Sequence, residues 1–561
     1  MPGWVSTSSA VPGAQRDGLV VPAVGAVPAV PAVAAAGATG AAGAGLGIPA
    51  AGAGLASSAS SAAAAERGPF EVYVHVPFCM RRCGYCDFNT YTAPDLGEGA
   101  SRGNYARMAV HEMELVRAWQ EANGIEEPAA CSVFFGGGTP TILPAADLVA
   151  MLDAVRRIWG LEPGAEVTTE ANPDTVDADY IKRLADGGFT RISFGMQSAV
   201  PSVLRTLDRR HTPANVEAGV RAADACGLRS SVDLIYGAPG ESLEDWRTSV
   251  RAAVDLGVNH ISAYALTIAP RTRMGRMIAA GRLPKPSDDD EAAKYEIADE
   301  AFAAAGLTWY EISNWARPGF ESRHNLGYWH NVDWAGIGPG AHSHYRLVGA
   351  GSSESATRVL LSNINSGHER DSSNTRDAGA TANATPADDT TTVNTTAAQS
   401  TVAPDGTTSA ETAASAQVTT AAQTTIAAQT TGMESATAVE NADAAPVGMR
   451  AWDTAHPRAW GRQINAATVP WAGSEAITAR QDAEETLMLG LRLHEGFDTA
   501  RFAGIIPFEA WRQLESEGLI HLLPGPHGSD GLSDSSGLLA VPTLRGRLLN
   551  DLIIERLFDY L

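Results

Sequence analysis

The sequence predicts an α/β fold built on a parallel sheet, and three observations lead to this prediction. Short β-rich runs alternate with amphipathic helical stretches through the middle of the chain. Those stretches are long enough for the right-handed crossovers that join parallel strands. Nearly every predicted strand ends in glycine or polar residues, which in parallel barrels gather at one mouth.

Six strands are predicted in this region, with helices between them. The strands are Glu71–Val76, Cys131–Phe135, Glu166–Glu170, Thr190–Phe194, Ser230–Leu234 and His260–Tyr264. The helical stretches include Asn104–Ala122, Ala145–Ile158, Val200–Asp208 and Leu243–Leu256. Because the carboxyl ends of parallel strands lie on the same side of a barrel, we expect the residues after each strand to converge there.

The end of the chain predicts a small winged-helix-like module. It follows a predicted helix at Glu291–Ala305 and a strand at Trp309–Ser313. The module itself consists of helices Ala483–Leu493 and Pro507–Glu517, a hairpin of Leu519–Leu523 and Leu538–Val541, and a last helix, Thr543–Tyr560.

Two long stretches lack the side chains that stabilise a core. No residue from Gly18 to Ala65 is charged, and none from Arg346 to Ala451 is aromatic. We therefore divide the chain into four parts. These are a disordered Ala/Pro/Gly-rich tail (1–66), a core with a C-terminal extension (67–345), a disordered acidic Thr/Ala-rich insertion (346–448) and a C-terminal helical, winged-helix-like domain (449–561).

The apolar tail does not read as a membrane span. Prolines 22, 28, 31 and 49 interrupt it, and it is mostly Ala and Gly, whereas a spanning helix needs about 20 strongly apolar residues. A disordered tail is the preferred interpretation, and a cleaved leader is the alternative. We expect no transmembrane segment elsewhere.

The charge balance argues against a nucleic-acid-binding protein. The 561 residues contain 41 Lys and Arg against 64 Asp and Glu, which gives a net charge of −23. Phosphate contacts need clustered cations, and no basic stripe stands out in the sequence.

Cysteine placement is more informative than cysteine number. Cys79, Cys83 and Cys86 form a C-x3-C-x2-C pattern, while the other two of the five cysteines are isolated. An odd number with three crowded thiols does not resemble a secreted disulfide framework, so we expect a reducing, cytoplasmic location. Three thiolates on a [4Fe-4S] cluster leave one iron open for the amino and carboxylate groups of S-adenosylmethionine. A zinc knuckle with a distant fourth ligand and three unrelated thiols are the alternatives.

Several motifs in order resemble the radical-SAM superfamily, and within it the branch of oxygen-independent coproporphyrinogen III oxidase and the heme chaperone HemW. They are VYVHVPFCMRRCGYCDFNTY (72–91), FFGGGTPT (134–141), TEANPDT (169–175), RISFGMQS (191–198), DLIYGAPG (233–240), YEISNWA (310–316), HNLGYW (324–329) and GPGAHS (338–343).

This resemblance implies a partial (β/α)6 radical-SAM barrel with the cluster loop after its first strand. It implies that Cys79, Cys83 and Cys86 hold the [4Fe-4S] cluster. It also implies that S-adenosylmethionine contacts Tyr73, Tyr85, Gly137, Gly138, Thr139, Glu170, Gln197, Arg209 and Asp233. Taken singly, such polar residues are more often caps or core hydrogen-bonding groups. Their shared position at strand ends favours the cofactor.

Two departures within the family favour the chaperone over the oxidase. The oxidases carry a further cysteine two residues past the third, where this chain has Phe88, and they have a structured N-terminal arm. His324 opens a segment that resembles the chaperone's heme-binding HNxxYW motif, since imidazole ligates heme iron and aromatic rings offer flat apolar surface. The alternative is a core histidine beside aromatic residues.

The implied function is a cytoplasmic heme chaperone that binds the cluster, S-adenosylmethionine and heme. Its expected partners are apo-hemoproteins such as respiratory enzymes and an electron donor for the cluster, with a peripheral membrane contact as an option. The alternative function is oxidative decarboxylation of coproporphyrinogen III by radical-SAM chemistry. A zinc-stapled α/β protein is a third hypothesis.

Overall fold

The computed structural model describes residues 68–347, 446–525 and 537–561. The predicted tail and almost all of the predicted insertion lie outside these residues. The described strands are β1 (Phe70–Val76), β2 (Ala130–Gly137), β3 (Leu161–Ala171), β4 (Arg191–Gln197), β5 (Arg229–Tyr236), β6 (His260–Ala265), β7 (Thr308–Glu311), β8 (Asn314–Ala316), β9 (Asp333–Ile337), β10 (His342–Arg346), β11 (Gly448–Asp453), β12 (Trp471–Ile477), β13 (Phe497–Asp498), β14 (Ile520–Pro524) and β15 (Leu538–Pro542).

Helices fill the intervals between these strands. They are α1 (Tyr105–Ala122), α2 (Ala145–Ile158), α3 (Ala178–Asp186), α4 (Pro201–Thr206), α5 (Pro213–Ala225), α6 (Leu243–Asp255), α7 (Arg273–Ala279), α8 (Asp288–Ala304), α9 (Arg323–Trp329), α10 (Pro457–Asn465), α11 (Ala479–Gly490), α12 (Phe508–Ser516), α13 (Leu544–Leu548) and α14 (Asn550–Phe558). Two of these helices begin at capping boxes that the sequence encodes, formed by Thr212 at α5 and by Ser242 at α6.

The strands form one large sheet in the order β12-β11-β10-β9-β1-β2-β3-β4-β5-β6-β8-β7. Strands β9 and β1 to β6 run parallel, and the strands beyond them on both sides are antiparallel. The helices between β1 and β6 are the crossovers that parallel pairing requires. This architecture confirms the predicted partial (β/α)6 barrel, and every predicted barrel strand overlaps an observed one.

Alternation along each strand separates two environments. Val72 and Val74 of β1 belong to the apolar core between the sheet and the helices. Glu71, Tyr73 and His75 point to the opposite face, which is the barrel interior, because successive strand residues face opposite sides. The interior is therefore lined by polar and charged side chains. We call the carboxyl ends of the parallel strands the mouth and their amino ends the floor.

The large sheet continues beyond residue 449, where the sequence places the C-terminal domain. Strand β11 extends it by antiparallel pairing with β10, and β12 pairs antiparallel with β11. A second sheet, in the order β13-β15-β14, lies later in the chain, and a second apolar core gathers around residues of α11, α12 and α14. The predicted boundary thus does not coincide with an edge of the sheet, and the predicted last helix is divided into α13 and α14.

Candidate cofactor site at the barrel mouth

The three clustered cysteines lie in a loop that leaves the carboxyl end of β1. A bridge between Phe78 and Tyr91 closes the base of this loop, and the Cys79 N–H donates to the Tyr91 carbonyl at 2.9 Å. Cys79 is buried, while Cys83 and Cys86 are half-buried. The loop therefore places three thiols at the mouth, as the sequence predicts for this segment.

Each of the three sulfurs has its own polar neighbour. The Thr139 hydroxyl donates to Cys79 Sγ at 3.6 Å, and the Arg209 guanidinium donates to Cys83 Sγ at 3.7 Å. Cys86 Sγ and Thr90 Oγ1 are 3.9 Å apart. Hydrogen bonds to sulfur are one means by which proteins adjust iron–sulfur clusters. The donor set therefore fits three thiolates better than three unrelated core thiols.

Burial and the neighbouring cysteines raise the pKa of Cys86 to about 12, and burial raises the pKa of Cys79. A raised pKa makes the thiolate form less favourable, and metal binding offsets this because it deprotonates such thiols. Among the described residues, no three His, Cys, Asp or Glu side chains are grouped as ligands of one metal ion. A four-iron cluster does not need three ligands that meet at one metal ion, because each thiolate binds a different iron.

The glycine-rich end of β2 approaches the cluster loop closely. Gly138 donates its N–H to the Val76 carbonyl, and a Cβ there would lie 2.6 Å from the Phe78 carbonyl oxygen. Gly137 has a φ of +105°. Only glycine fits this backbone conformation and this close approach. The backbone can therefore run next to the cluster loop, which places the Thr139 hydroxyl beside Cys79.

Two carboxylates from neighbouring strands face the same interior. Glu170 Oε2 accepts the Gly137 N–H at 3.1 Å, and burial and the Asp233 carboxylate raise the pKa of Glu170 to about 8. Asp233 accepts hydrogen bonds from Ser193 at 2.9 Å and from Ser262 at 2.8 Å. Burial also raises the pKa of Asp233, and these serine hydrogen bonds oppose the shift. The pair offers acceptors for hydroxyl or ammonium groups.

Gln197 at the end of β4 and Arg209, which follows α4, lie on the same side of the mouth. Gln197 has a φ of +60°, and the pairing with β5 shifts register between Gly195 and Gln197. Such bulges and left-handed residues occur at functional sites, where they redirect a side chain. Arg209 donates to the Gly195 carbonyl at 2.9 Å and to Asn172 Oδ1 at 3.0 Å as well as to Cys83.

The two expected tyrosines lie in different places. Tyr85 sits within the cluster loop and packs, half-buried, against an apolar cluster that includes Leu207 and Met274. Tyr73 is fully buried in the barrel interior, where its hydroxyl lies 3.1 Å from His75 Nδ1 and its ring stacks on Phe134. Tyr85 is therefore beside the sulfurs, and Tyr73 lies below the mouth.

His324 is at the other end of the barrel from the cysteines. Its Nδ1 lies 2.7 Å from Ser132 Oγ and 3.4 Å from Glu71 Oε2, and both residues are at the amino ends of their strands. Its Nε2 lies 3.1 Å from the Tyr328 hydroxyl, and the ring stacks on Phe134. Burial lowers the pKa of His324 to about 3.

The described conformation therefore does not favour His324 as a heme ligand. The side chain is 0% exposed, and both ring nitrogens have polar neighbours in the floor. Its contacts match the alternative of a core histidine beside aromatic residues. The reason is topological, since α9 inserts its HNxxYW segment against the amino ends of β1 to β3.

Asp208 is a residue of the site that sequence reasoning missed. It has a φ of +59° and accepts from Arg81 in the cluster loop at 3.1 Å and from Arg273 of α7 at 2.5 Å. The Met274 N–H also donates to the Gly84 carbonyl at 2.8 Å. Asp208 thus ties the loop to α7. The sequence did contain one signal for Asp208: it directly precedes Arg209, and Asp is one of the residues that tolerate the left-handed backbone conformation.

Comparisons with known proteins show the family of this chain. The radical SAM superfamily model matches residues 73–253. A heme chaperone HemW of Mycobacterium tuberculosis is 48% identical over 277 residues, which cover 49% of this chain and 70% of that protein. The HemW of Escherichia coli is 37% identical over 276 residues, with 49% and 70% covered.

A solved structure extends the likeness of the fold. Coproporphyrinogen III oxidase from Escherichia coli, described as a radical SAM enzyme, superposes with a TM-score of 0.58 at 17% identity. The match covers 89% of this chain and 93% of that chain. Across the three described ranges, no helix is both long and apolar enough to cross a membrane.

Proposed function

Because this chain belongs to the HemW family of the radical-SAM superfamily, we propose that it is a heme chaperone. It binds a [4Fe-4S] cluster, S-adenosylmethionine and heme, and it passes heme to apo-hemoproteins such as respiratory enzymes. The supporting observation is the mouth, where three thiols with separate polar partners lie opposite the carboxylates of β3 and β5. The proposed location is the cytoplasm, with a peripheral membrane contact at the step of transfer.

In this proposal Cys79, Cys83 and Cys86 hold the cluster, which supplies an open iron and an exchangeable electron when bound. Thr139 and Arg209 donate hydrogen bonds to the sulfurs and so stabilise their anionic form. These donors also fix the loop against β2 and against the segment that follows α4.

The remaining mouth residues bind and orient S-adenosylmethionine. Glu170 and Asp233 supply acceptors for the ammonium and ribose hydroxyl groups, and Arg209 supplies a donor for the carboxylate. The Gln197 side-chain amide and the Arg209 guanidinium both lie near Gly195, so Gln197 offers a further amide group beside Arg209. Gly137, Gly138 and Thr139 let the backbone approach the bound molecule, and Tyr85 packs beside it.

We assign heme binding to this chain because of its family. We do not assign a heme ligand, because His324 is buried in the floor. Tyr73, at the middle of the barrel, separates that histidine from the mouth. A heme iron on His324 would require the floor to open and its hydrogen bonds to break. We therefore place the chaperone's heme outside the described floor.

One side-by-side experiment tests the proposed function against the oxidase alternative. The cluster is reconstituted anaerobically in the full chain, and three readouts follow: heme titration, heme transfer to an apo-hemoprotein, and carbon dioxide release from coproporphyrinogen III. We expect stable heme binding and transfer without decarboxylation. Robust decarboxylation without stable heme binding would overturn the chaperone assignment.

A further inference from the structure

Exposed arginines surround the cluster loop. Six of them, which we call the arginine collar, come from three separate segments of the chain. They are Arg81, Arg82, Arg205, Arg271, Arg273 and Arg276, and all six are exposed. Because these segments are far apart in sequence, no basic stripe was visible before folding.

Direct contacts join the segments of the collar. The Asp208 carboxylate binds Arg81 through one oxygen and Arg273 through the other. Arg82 donates to the Cys86 carbonyl at 3.3 Å and to the Phe88 carbonyl at 2.9 Å. Arg276 donates to the backbone carbonyl of Arg271. The collar is therefore one surface, attached to the loop that carries the cysteines.

The charge of this surface is opposite to that of the whole chain. The chain has a net charge of −23. Within the collar, six arginines are accompanied by Asp208 and by Asp87, which is half-buried and close enough to Arg271 and Arg82 for both to influence its pKa. Two carboxylates do not neutralise six guanidinium groups. The mouth thus presents local positive charge on an acidic protein.

A small cavity lies inside the collar. It has a volume of about 120 Å³, and Gly84 of the cluster loop, Arg205, Asp208 and Arg273 are among the residues that line it. Apolar side chains of α7 and the residues after it, including Met277 and Leu283, line it further. A cavity of this size suits a single side chain of a partner protein better than a tetrapyrrole.

We propose that the arginine collar docks an acidic one-electron carrier protein that reduces the cluster. The inference rests on the proposed function, because it takes the cluster to be held by Cys79, Cys83 and Cys86. Cys83 and Cys86 are half-buried within the collar, so a docked carrier comes close to the cluster's position.

The physical basis is electrostatic steering. Electron-transfer complexes are small and short-lived, and complementary charge raises their association rate more than their affinity. One electron passes from the reduced carrier, which is oxidised, to the cluster, which is reduced, and no bond forms or breaks. Within the described ranges, the guanidinium groups of Arg205 and Arg271 are exposed and make no hydrogen bond, whereas Arg81, Arg82 and Arg273 also hold the loop.

The test is the binding of an acidic flavodoxin to the reconstituted full chain, measured by calorimetry at low and high salt. The variant is Arg205→Glu with Arg271→Glu, and the control is Arg183→Glu with Arg501→Glu, which makes the same charge change at exposed arginines on other elements. We expect affinity to fall at least about tenfold in the variant and less than about twofold in the control.

Electron transfer gives an independent readout. Reduction of the cluster by the reduced flavodoxin should slow in the collar variant, while photoreduction by a small neutral deazaflavin should be unchanged. Equal flavodoxin binding by variant and wild type would overturn the proposal. So would a collar that binds anionic vesicles or RNA and ignores the flavodoxin. A chain that binds flavodoxin through the collar but holds no iron would support this surface and contradict the proposed cluster.

Discussion

Glu166 and Glu170 lie four residues apart on the same face of β3, yet they belong to opposite ends of the barrel. Glu166, at the floor, is buried and accepts a hydrogen bond from the His324 N–H at 3.4 Å. Glu170, at the mouth, is half-buried and faces Asp233 and the glycine-rich segment. We therefore assign Glu166 to the packing of the barrel and Glu170 to the binding of a ligand.

Left-handed backbone conformations occur near both ends. Gln197 and Asp208, both close to the mouth, have positive φ, which non-glycine residues adopt at a cost. Asn331, between α9 and β9 at the floor, has a φ of +55°. Backbone strain therefore does not separate the two ends.

The largest expected effect is loss of the cluster from the mouth. Cys86→Ala should lower iron from about four per chain to near zero, because it removes a ligand. Iron content and visible absorbance after anaerobic reconstitution measure this. Cys131→Ala is the matched control, since Cys131 is a buried thiol near Glu71 at the floor, and its iron content should equal that of the wild type. Equal iron loss in both variants would contradict the division between mouth and floor.

The second prediction concerns the stability of the floor. His324→Ala should lower the free energy of unfolding by about 2–4 kcal/mol, because it creates a cavity and removes the contacts of the His324 ring with Ser132 and Tyr328. Denaturant titration measures the loss. His330→Ala, at the exposed end of the same helix, should change stability by less than about 0.5 kcal/mol.

Heme titration of the folded His324→Ala variant sharpens this prediction. We expect a heme affinity within about twofold of the wild type. A tenfold loss of heme affinity at unchanged stability would show that His324 is the ligand after all and that the floor opens.

The third prediction compares the two glutamates directly. Glu170→Gln should weaken S-adenosylmethionine binding about tenfold, as expected for loss of a charge-assisted hydrogen bond worth about 1.5 kcal/mol. Glu166→Gln should leave that affinity unchanged. Equilibrium binding to the reconstituted chain measures both, and an equal loss in the two variants would remove Glu170 from the site.

The last prediction is a pH dependence of stability outside the barrel interior. Glu112 of α1 is buried against Asp453, accepts from the Gly338 N–H and the Trp460 indole, and burial raises its pKa from 4.5 to about 7. Because the native state then binds the proton more tightly than the unfolded chain, this stability is full below pH 4.5 and is lost as pH rises to about 7.

Glu112→Gln mimics the protonated acid and removes this dependence. Its free energy of unfolding, relative to that of the wild type, should therefore increase between pH 4.5 and 7. Denaturant titrations of both proteins across this range measure the difference. A constant difference would mean that Glu112 does not exchange its proton in this range.

The sequence was sufficient for the barrel and for the cysteine loop, because alternating elements and a C-x3-C-x2-C spacing are local patterns. It did not show the floor contacts of His324, which depend on α9 packing against the amino ends of β1 to β3. Asp208 and the arginine collar were likewise invisible, since their contacts join distant segments: Arg81 and Asp208 are 127 residues apart, and Asp208 and Arg273 are 65 residues apart. The β11–β12 extension was assigned to the C-terminal domain because sheet membership is not a local property.

The most direct test of the mouth is the electron paramagnetic resonance spectrum of the reduced, reconstituted chain with and without S-adenosylmethionine. An open iron held by Cys79, Cys83 and Cys86 predicts a change in the spectrum on addition of the cofactor, retained in Glu166→Gln. A loaded cluster whose spectrum does not respond to saturating S-adenosylmethionine would contradict an open iron at the mouth.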